Sequence, residues 1–436
     1  MLTIVALDVV LLIFLLMMSI PLPYCFGGAM AFMVIVGGAS MTSMMMWAFY
    51  QSISLVLLAS PLFILAGSLI AGSGIAKHLL NFIDVFVGRI KGGIGVVAIV
   101  TSGIVGAISG SGFTGVAATG PILIPRMVDQ GYPRGYATAL VTVSSILGLL
   151  IPPSIIMIFY GWVTETSILA AFLATVGPGV LVIILFSIIN MVWTRTKFHD
   201  VKLDDVLSSL DRRKRDRKRI IVAIPGLMVP FIILGGIYGG VFTPTEAAGV
   251  AALIAIPIGL WIYRDLNKKE ALKIARETGT SVGSIMTMII FTLMLSQTYV
   301  LLQVPQALID ILFGITTNRV LLLIIINILL FLVGMIVNDV TGMILVAPLL
   351  LPLVTELGIS PVQFAAIMGV NLAMGGVTPP YASILYLGMR IGKTEFKDIL
   401  KPTMVFLLLG YVPVVFLTTF WSDLSMFLPT LAGLAG

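Results

Sequence analysis

The chain has 436 residues, is 59% hydrophobic and only 10% charged, and has a mean hydropathy of +1.14. Soluble domains carry about 25% charged residues, so a water-soluble globular protein is excluded. One cysteine, Cys25, and two histidines, His78 and His199, exclude an intrachain disulfide and argue against a His/Cys metal cluster; the net charge of +6 sits in loops, which reads as membrane topology rather than nucleic-acid binding.

Apolar runs at 11–19, 220–238, 321–337 and 402–420 approach or exceed the ~18 residues of a bilayer-spanning helix. The expected class is an all-α polytopic membrane protein with the lipid bilayer as its main solvent. Residues 1–20 lack the basic start and small-residue cleavage site of a signal peptide, so they are read as a retained first helix. Crossings are expected at about 3–20, 24–39, 50–72, 135–160 and 166–193.

Two pieces of this half do not read as simple crossings. Residues 41–55 are mixed in polarity and suit a helix lying along the interface. Residues 92–130 are apolar, break at Ser109-Gly110-Ser111-Gly112-Phe113-Thr114-Gly115, and run on through Pro121 and Pro125, which suggests a re-entrant hairpin. The next helix, 135–160, is interrupted at Pro152-Pro153. Arg126 and Arg134 flank the turn between them and are expected to snorkel to headgroups, though either suits a carboxylate.

Between Arg195 and Arg219 there are ten Lys or Arg against five Asp, which places the loop 196–219 in the cytoplasm. A second basic segment, 264–276, follows one helical hairpin later and agrees with that assignment. Thr243-Pro244-Thr245-Glu246 has the composition of a helix start, with Pro and an acid in the first turn.

The second half repeats the first. At a shift of 227, Gly115, Pro121, Pro125, Gly131, Gly148 and Pro152-Pro153 fall on Gly342, Pro348, Pro352, Gly358, Gly375 and Pro379-Pro380. Gly and Pro fix backbone geometry, so their coincidence at one shift points to duplication. An odd number of crossings per half makes the repeats inverted: 1–195 and 220–436, joined by the basic loop, with a second hairpin at 319–357, a second broken helix at 361–388 and a second interfacial segment at 268–282. Asp84 and Asp310 also pair across the repeat and are read as orienting short interfacial helices.

The irregular segments carry the chemistry. A glycine-rich turn at membrane depth leaves peptide groups without helical partners, tolerated only where protein, water or an ion satisfies them. The second tip, Asn338-Asp339-Val340-Thr341-Gly342, adds an acid within an apolar stretch, a functional candidate by default. Tandem prolines likewise deprive carbonyls near Gly148 to Ile151 and Gly375 to Thr378 of their donors. Freed carbonyls and hydroxyls form a hard-oxygen cage suited to a cation, and paired discontinuous helices in inverted repeats are the pattern of secondary transporters.

Ser109-Gly110-Ser111, Ile151-Pro152-Pro153-Ser154, Phe242-Thr243-Pro244-Thr245-Glu246-Ala247-Ala248, Asn338-Asp339 and Thr378-Pro379-Pro380 together resemble the large membrane subunit of tripartite ATP-independent periplasmic (TRAP) transporters, within the ion-transporter superfamily. The resemblance covers essentially the whole chain. It implies an elevator-type transporter of the inner membrane that takes up an organic anion, commonly a C4-dicarboxylate or sialic acid and by overall likeness sialic acid, with sodium ions. It also implies a small four-helix membrane subunit, here a separate polypeptide, and a periplasmic substrate-binding protein. By this likeness Ser109, Ser154 and Asp339 contact substrate. Sodium is held around Ser109, Ser111, Gly148, Ile151 and Pro153 in one half and around Asn338, Asp339, Thr341, Gly375, Thr378 and Pro380 in the other. The alternatives are a standalone ion-coupled carboxylate transporter of the same superfamily, a channel, and an intramembrane enzyme built on Asp339 and Asp84; the symmetric Pro-Pro breaks argue against the enzyme.

Overall fold

The computed structural model describes residues 2–18, 20–88, 90–198, 209–379 and 382–434. The side chains of 209–213 are outside that description, as are His199, most of the basic loop and Pro380. Every regular element among the described residues is helical. Among the described residues eight helices are long and apolar enough to cross a membrane, or nine if the bent pair Ala59–Gly72 and Ile75–Val87 is one span.

Helix boundaries in the two halves coincide at the shift expected from glycine and proline. Adding 227 to the bounds of Gly112–Asp129 gives those of Asp339–Glu356, and adding it to the end of Gly93–Ser109 gives the end of Arg319–Ile336. These two pairs are the hairpins. The first broken helix runs Arg134–Ser145, Leu147–Leu150 and Ile155–Val163; the second runs Pro361–Gly375 and Ser383–Gly392.

The halves part company where proline differs. Met41–Ser52 is a separate short helix, followed by turns and then Ala59–Gly72, so the expected crossing at 50–72 begins later. In the second half the equivalent stretch is one uninterrupted helix, Lys268–Leu301, rather than an interfacial segment ending near 282. Pro61, whose missing N–H suits a helix start and not an interior, has Met288 as its counterpart. Asn267 and Glu270 form a capping box that starts the long helix. A similar box between Thr243 and Glu246 opens Pro244–Pro257, as its composition predicts. The first two crossings are shorter than expected, 16 residues in Leu2–Met17 and 14 in Leu22–Ile35, because Pro21, Pro23 and the Gly37-Gly38 pair punctuate them.

Burial differs widely between helices. The first broken helix has 94% of its apolar window buried, whereas Lys214–Tyr238 has 28% and presents Ile221, Met228 and Phe231 outward. The hairpins and broken helices are held together by close backbone crossings. A Cβ on Gly148 would collide with Gly106 of the first hairpin, and one on Gly375 with Gly334 of the second, so each hairpin seats directly on its own broken helix. Buried amides complete the packing: Asn371 Nδ2 donates to Asn327 Oδ1 (2.8 Å) and Asn190 Nδ2 to Gly92 O (2.8 Å).

Arg126 does not snorkel. Its guanidinium donates to Asp84 Oδ2 at 2.7 Å, and Arg219 donates to the same oxygen at 2.8 Å. Asp84 is therefore the anion between two cations, tying the far end of the first hairpin to the start of an outer helix. Arg134 Nη1 donates to Gly392 O at 3.3 Å.

Candidate functional site

The first hairpin turns at Gly110, whose φ of +64° is the left-handed conformation that glycine adopts freely. Ser111 follows in extended backbone as the N-cap of Gly112–Asp129, and its hydroxyl makes no capping bond. The second hairpin turns at Val337 and Asn338, both extended. There the cap is made: Asn338 Oδ1 accepts from Val340 N (3.0 Å), and Asp339 Oδ1 accepts from the same amide (3.0 Å).

Both tips face one cavity of about 1470 Å³. Its lining includes Gly110, Ser111, Phe113 and Thr114 from the first tip and Asn338, Asp339 and Val340 from the second. Leu149, Ile155 and Ile156 come from the first broken helix, and Tyr386 and Leu387 from the second. The rest of the polar lining comes from two further helices: Ser60 and Ser68 on Ala59–Gly72, and Glu277, Thr278, Ser281 and Ser284 on Lys268–Leu301. No Lys or Arg among the described residues lines the cavity, and the Asp339 carboxylate makes no ion pair with one of them.

Of the residues singled out in the sequence, Ser111, Asn338 and Asp339 come together here. Ser109 and Ser154 do not line the cavity. Ser109 Oγ donates to Gly106 O (2.9 Å) and lies within reach of Val105 O and Ser111 O. Ser154 Oγ donates to Leu149 O (2.6 Å), the carbonyl whose helical donor would have been Pro153. Ser154 thus repairs part of the proline break. Pro152 stands where the donor to Gly148 O belongs, and Pro153 O packs close to Gly110. Ile151 N donates to Leu147 O at 2.8 Å.

The second break is repaired from the backbone. Thr378 N donates to Gly375 O (3.0 Å), Ile384 N to Gly376 O (3.2 Å), and Thr378 Oγ1 to Met374 O (2.7 Å). Thr341 Oγ1 donates to Met288 Sδ at 3.0 Å, and Thr341 itself does not line the cavity. Pro380 lies outside the described residues. Gly375 O and Gly376 O, the carbonyls that Pro379 and Pro380 deprive of their helical donors, thus have replacement donors from the chain's own backbone. Asp84 is occupied by Arg126 and Arg219, so it does not form a pair with Asp339.

The polar lining from these two further helices was not foreseen. Its signal in the sequence is polar residues at 277, 278, 281 and 284, the spacing of one helical face, within a stretch otherwise read as interfacial.

Multi-pass helices whose interrupted segments converge on one partly polar cavity define a membrane permease. The family model of the tripartite ATP-independent periplasmic transporter, DctM component, matches residues 9–422. The chain is 34% identical over 388 residues to the C4-dicarboxylate TRAP transporter large permease protein DctM of Pseudomonas aeruginosa, covering 86% of this chain and 88% of that one. It is 32% identical over 375 residues to the sialic acid TRAP transporter large permease protein SiaM of Vibrio cholerae, covering 86% of each. The chain belongs to the DctM-component family, the large permeases of TRAP transporters. Among solved structures, the Alcanivorax borkumensis YdaH transporter shares the fold with a TM-score of 0.58 at 17% identity, over 87% of this chain and 88% of that one.

Proposed function

We propose that this permease carries an organic anion, a sialic acid or a C4-dicarboxylate, into the cell with sodium ions across the bacterial inner membrane. The observation that carries this reading is the cavity itself: two tips, one from each half, meet in a space whose described lining holds an unpaired carboxylate and no basic side chain. An anionic cargo about 4 Å from Asp339 would be opposed by roughly 4 kcal/mol at an effective dielectric near 20, close to a thousandfold in affinity. Sodium bound at Asp339, Asn338 and the neighbouring backbone removes that opposition, which makes ion coupling a condition of binding. The helix N-termini at Gly112 and Ile155 add partial positive charge on the same side of the cavity.

In this reading the hairpins and broken helices move as an elevator against the remaining scaffold, and the halves 1–195 and 220–436 are inverted repeats. The matching helix boundaries support the repeat. In this reading the basic segment 264–276, which contributes Ile274 to the lining and ends beside Glu277, puts the cytoplasm on that side of the cavity. A small four-helix membrane subunit and a periplasmic binding protein complete the transporter, as the tripartite family description suggests; the alternative is a carboxylate transporter that works alone.

Proteoliposomes provide the test. An inward sodium gradient is expected to drive saturable uptake of radiolabelled N-acetylneuraminate or succinate only when the small subunit and the loaded binding protein are present. Uptake by the permease alone would establish the standalone alternative, and sodium-independent uptake would remove the coupling argument.

A further inference from the structure

Hydroxyls on membrane helices ordinarily bond back to a carbonyl one turn earlier. On the two further helices lining the cavity that rule holds repeatedly: Ser68 donates to Ile64 O (2.9 Å), Ser281 to Glu277 O (3.1 Å) and Thr292 to Met288 O (2.8 Å). Ser60 and Thr278 break it. They are 1% and 7% exposed, and neither hydroxyl has a hydrogen-bond partner. Both line the cavity.

Their helices, Ala59–Gly72 and Lys268–Leu301, pack against each other, and each touches one tip. Gly67 is the point where the first crosses the side chains of Ser109 and Thr114, so close that a Cβ there would collide with the Ser109 Cβ. Met288 receives the Thr341 hydroxyl on the second. Ser60 lies seven residues from Gly67, two turns along the same face. Two buried hydroxyls without partners therefore share the cavity with both tips, on the wall that the transport reading holds still.

A buried donor left unpaired is costly, and a cavity whose described lining lacks Lys and Arg offers few donors to a carboxylate. We propose that Ser60 and Thr278 donate hydrogen bonds to the carboxylate of the bound cargo, so that the scaffold as well as the tips contributes to which anion is accepted. This rests on the transport reading above. It adds that cargo is recognised from two bodies at once when the cavity faces the cytoplasm, and that contact from the scaffold is lost when the tips move away.

The test uses the full-length chain in detergent with sodium, titrated with N-acetylneuraminate and with succinate while its melting temperature is followed. Ser60→Ala and Thr278→Val are each expected to weaken the apparent affinity for the bound probe about three- to tenfold, with the melting temperature of the unliganded protein unchanged or raised, because an unpaired buried hydroxyl is removed. Ser60→Thr and Thr278→Ser keep the hydroxyl and are expected to retain affinity, a distinction that a purely packing role would not produce. Should the valine or alanine variants fold poorly, Ser60→Cys and Thr278→Cys provide a second measure, because a thiol is a much weaker hydrogen-bond donor of similar size, and the same loss of affinity is expected. Unchanged affinity in well-folded Ser60→Ala and Thr278→Val, or in the cysteine variants where those fold poorly, overturns the proposal. A wild-type chain that binds neither probe in a sodium-dependent way overturns the transport reading and this inference with it, whereas a wild type that binds while the variants match it overturns only the inference.

Discussion

The two hairpin tips sit at matching positions in the two halves but use their polar groups in opposite ways. In the first, the Gly110 carbonyl accepts from Ile155 N (3.3 Å), and Ser109 is turned onto its own helix, so the tip is bonded to its broken helix and to itself. In the second, the broken helix closes on its own backbone through Ile384 and Gly376, and Asp339 is left at the cavity with only a local amide as partner. The two halves thus place tips at matching positions, and only the second carries a charge. The asymmetry predicts that the second half governs whether cargo binds, while the first half governs the shape of the place where it binds.

The largest effect that would break this comparison is at Asp339. Asp339→Ala is expected to lower sodium-driven uptake at least about a hundredfold, because the cargo's neutralising cation is lost along with its main ligand. Asp339→Glu keeps the charge and should retain measurable uptake with weaker sodium dependence. Sodium titration of both variants in proteoliposomes checks this, and normal coupling in Asp339→Ala would show that the charge of the second tip is not what couples the ion.

A second contrast lies between Asp84 and Asp310, which occupy matching positions in the two halves. Asp84 has a side chain 10% exposed and binds two arginines, themselves 22% and 23% exposed. Asp310 is exposed. Asp84→Asn is expected to cost about 1–3 kcal/mol, less than a fully buried pair because solvent reaches the arginines, while Asp310→Asn should stay within about 0.5 kcal/mol of wild type. Melting of the two purified variants separates the positions directly, and equal losses would show that Asp84 is no more than a surface charge.

The proline breaks give a smaller difference. Ser154→Ala leaves Leu149 O buried without a donor and is expected to cost about 1–2 kcal/mol. Thr378→Val, at the other break, removes a hydroxyl from Met374 O but leaves the Gly375 and Gly376 carbonyls with their backbone donors, so its cost should be less than half as large. Thermal melting is the readout, and a larger loss for Thr378→Val would reverse the ranking of the two breaks.

Much of this architecture was legible because glycine and proline state backbone geometry in the sequence itself. Gly148 and Gly375 fell at matching positions of the two halves, Pro152 and Pro379 marked the breaks, and the tips at 109–115 and 338–342 fell where the helices turn. Composition also fixed the capping box at Thr243 and Glu246. What stayed hidden depended on partners distant in sequence. Arg126 reads as a headgroup contact until Asp84 arrives from a helix 42 residues earlier. Ser60 and Thr278 sit more than two hundred residues apart and acquire meaning only where their helices meet. The direction of a hydroxyl is equally invisible: Ser109 and Ser111 look alike in the motif, yet one faces its own carbonyls and the other the cavity.

That pair gives the smallest and most discriminating prediction. Ser109 has satisfied its hydroxyl within Gly93–Ser109, and the Gly67 backbone presses against its Cβ, so Ser109→Ala removes little that the cavity uses. Its uptake is expected to stay within about twofold of wild type. Ser111 has no capping bond and lines the cavity, so Ser111→Ala should raise the sodium concentration for half-maximal uptake about three- to fivefold, the loss of one modest ligand or hydrogen bond. Measuring both variants across a sodium series decides between the two hydroxyls. A Ser109 effect larger than that of Ser111 would mean that the tip re-forms during transport, turning Ser109 toward the cargo in a conformation other than the one described here.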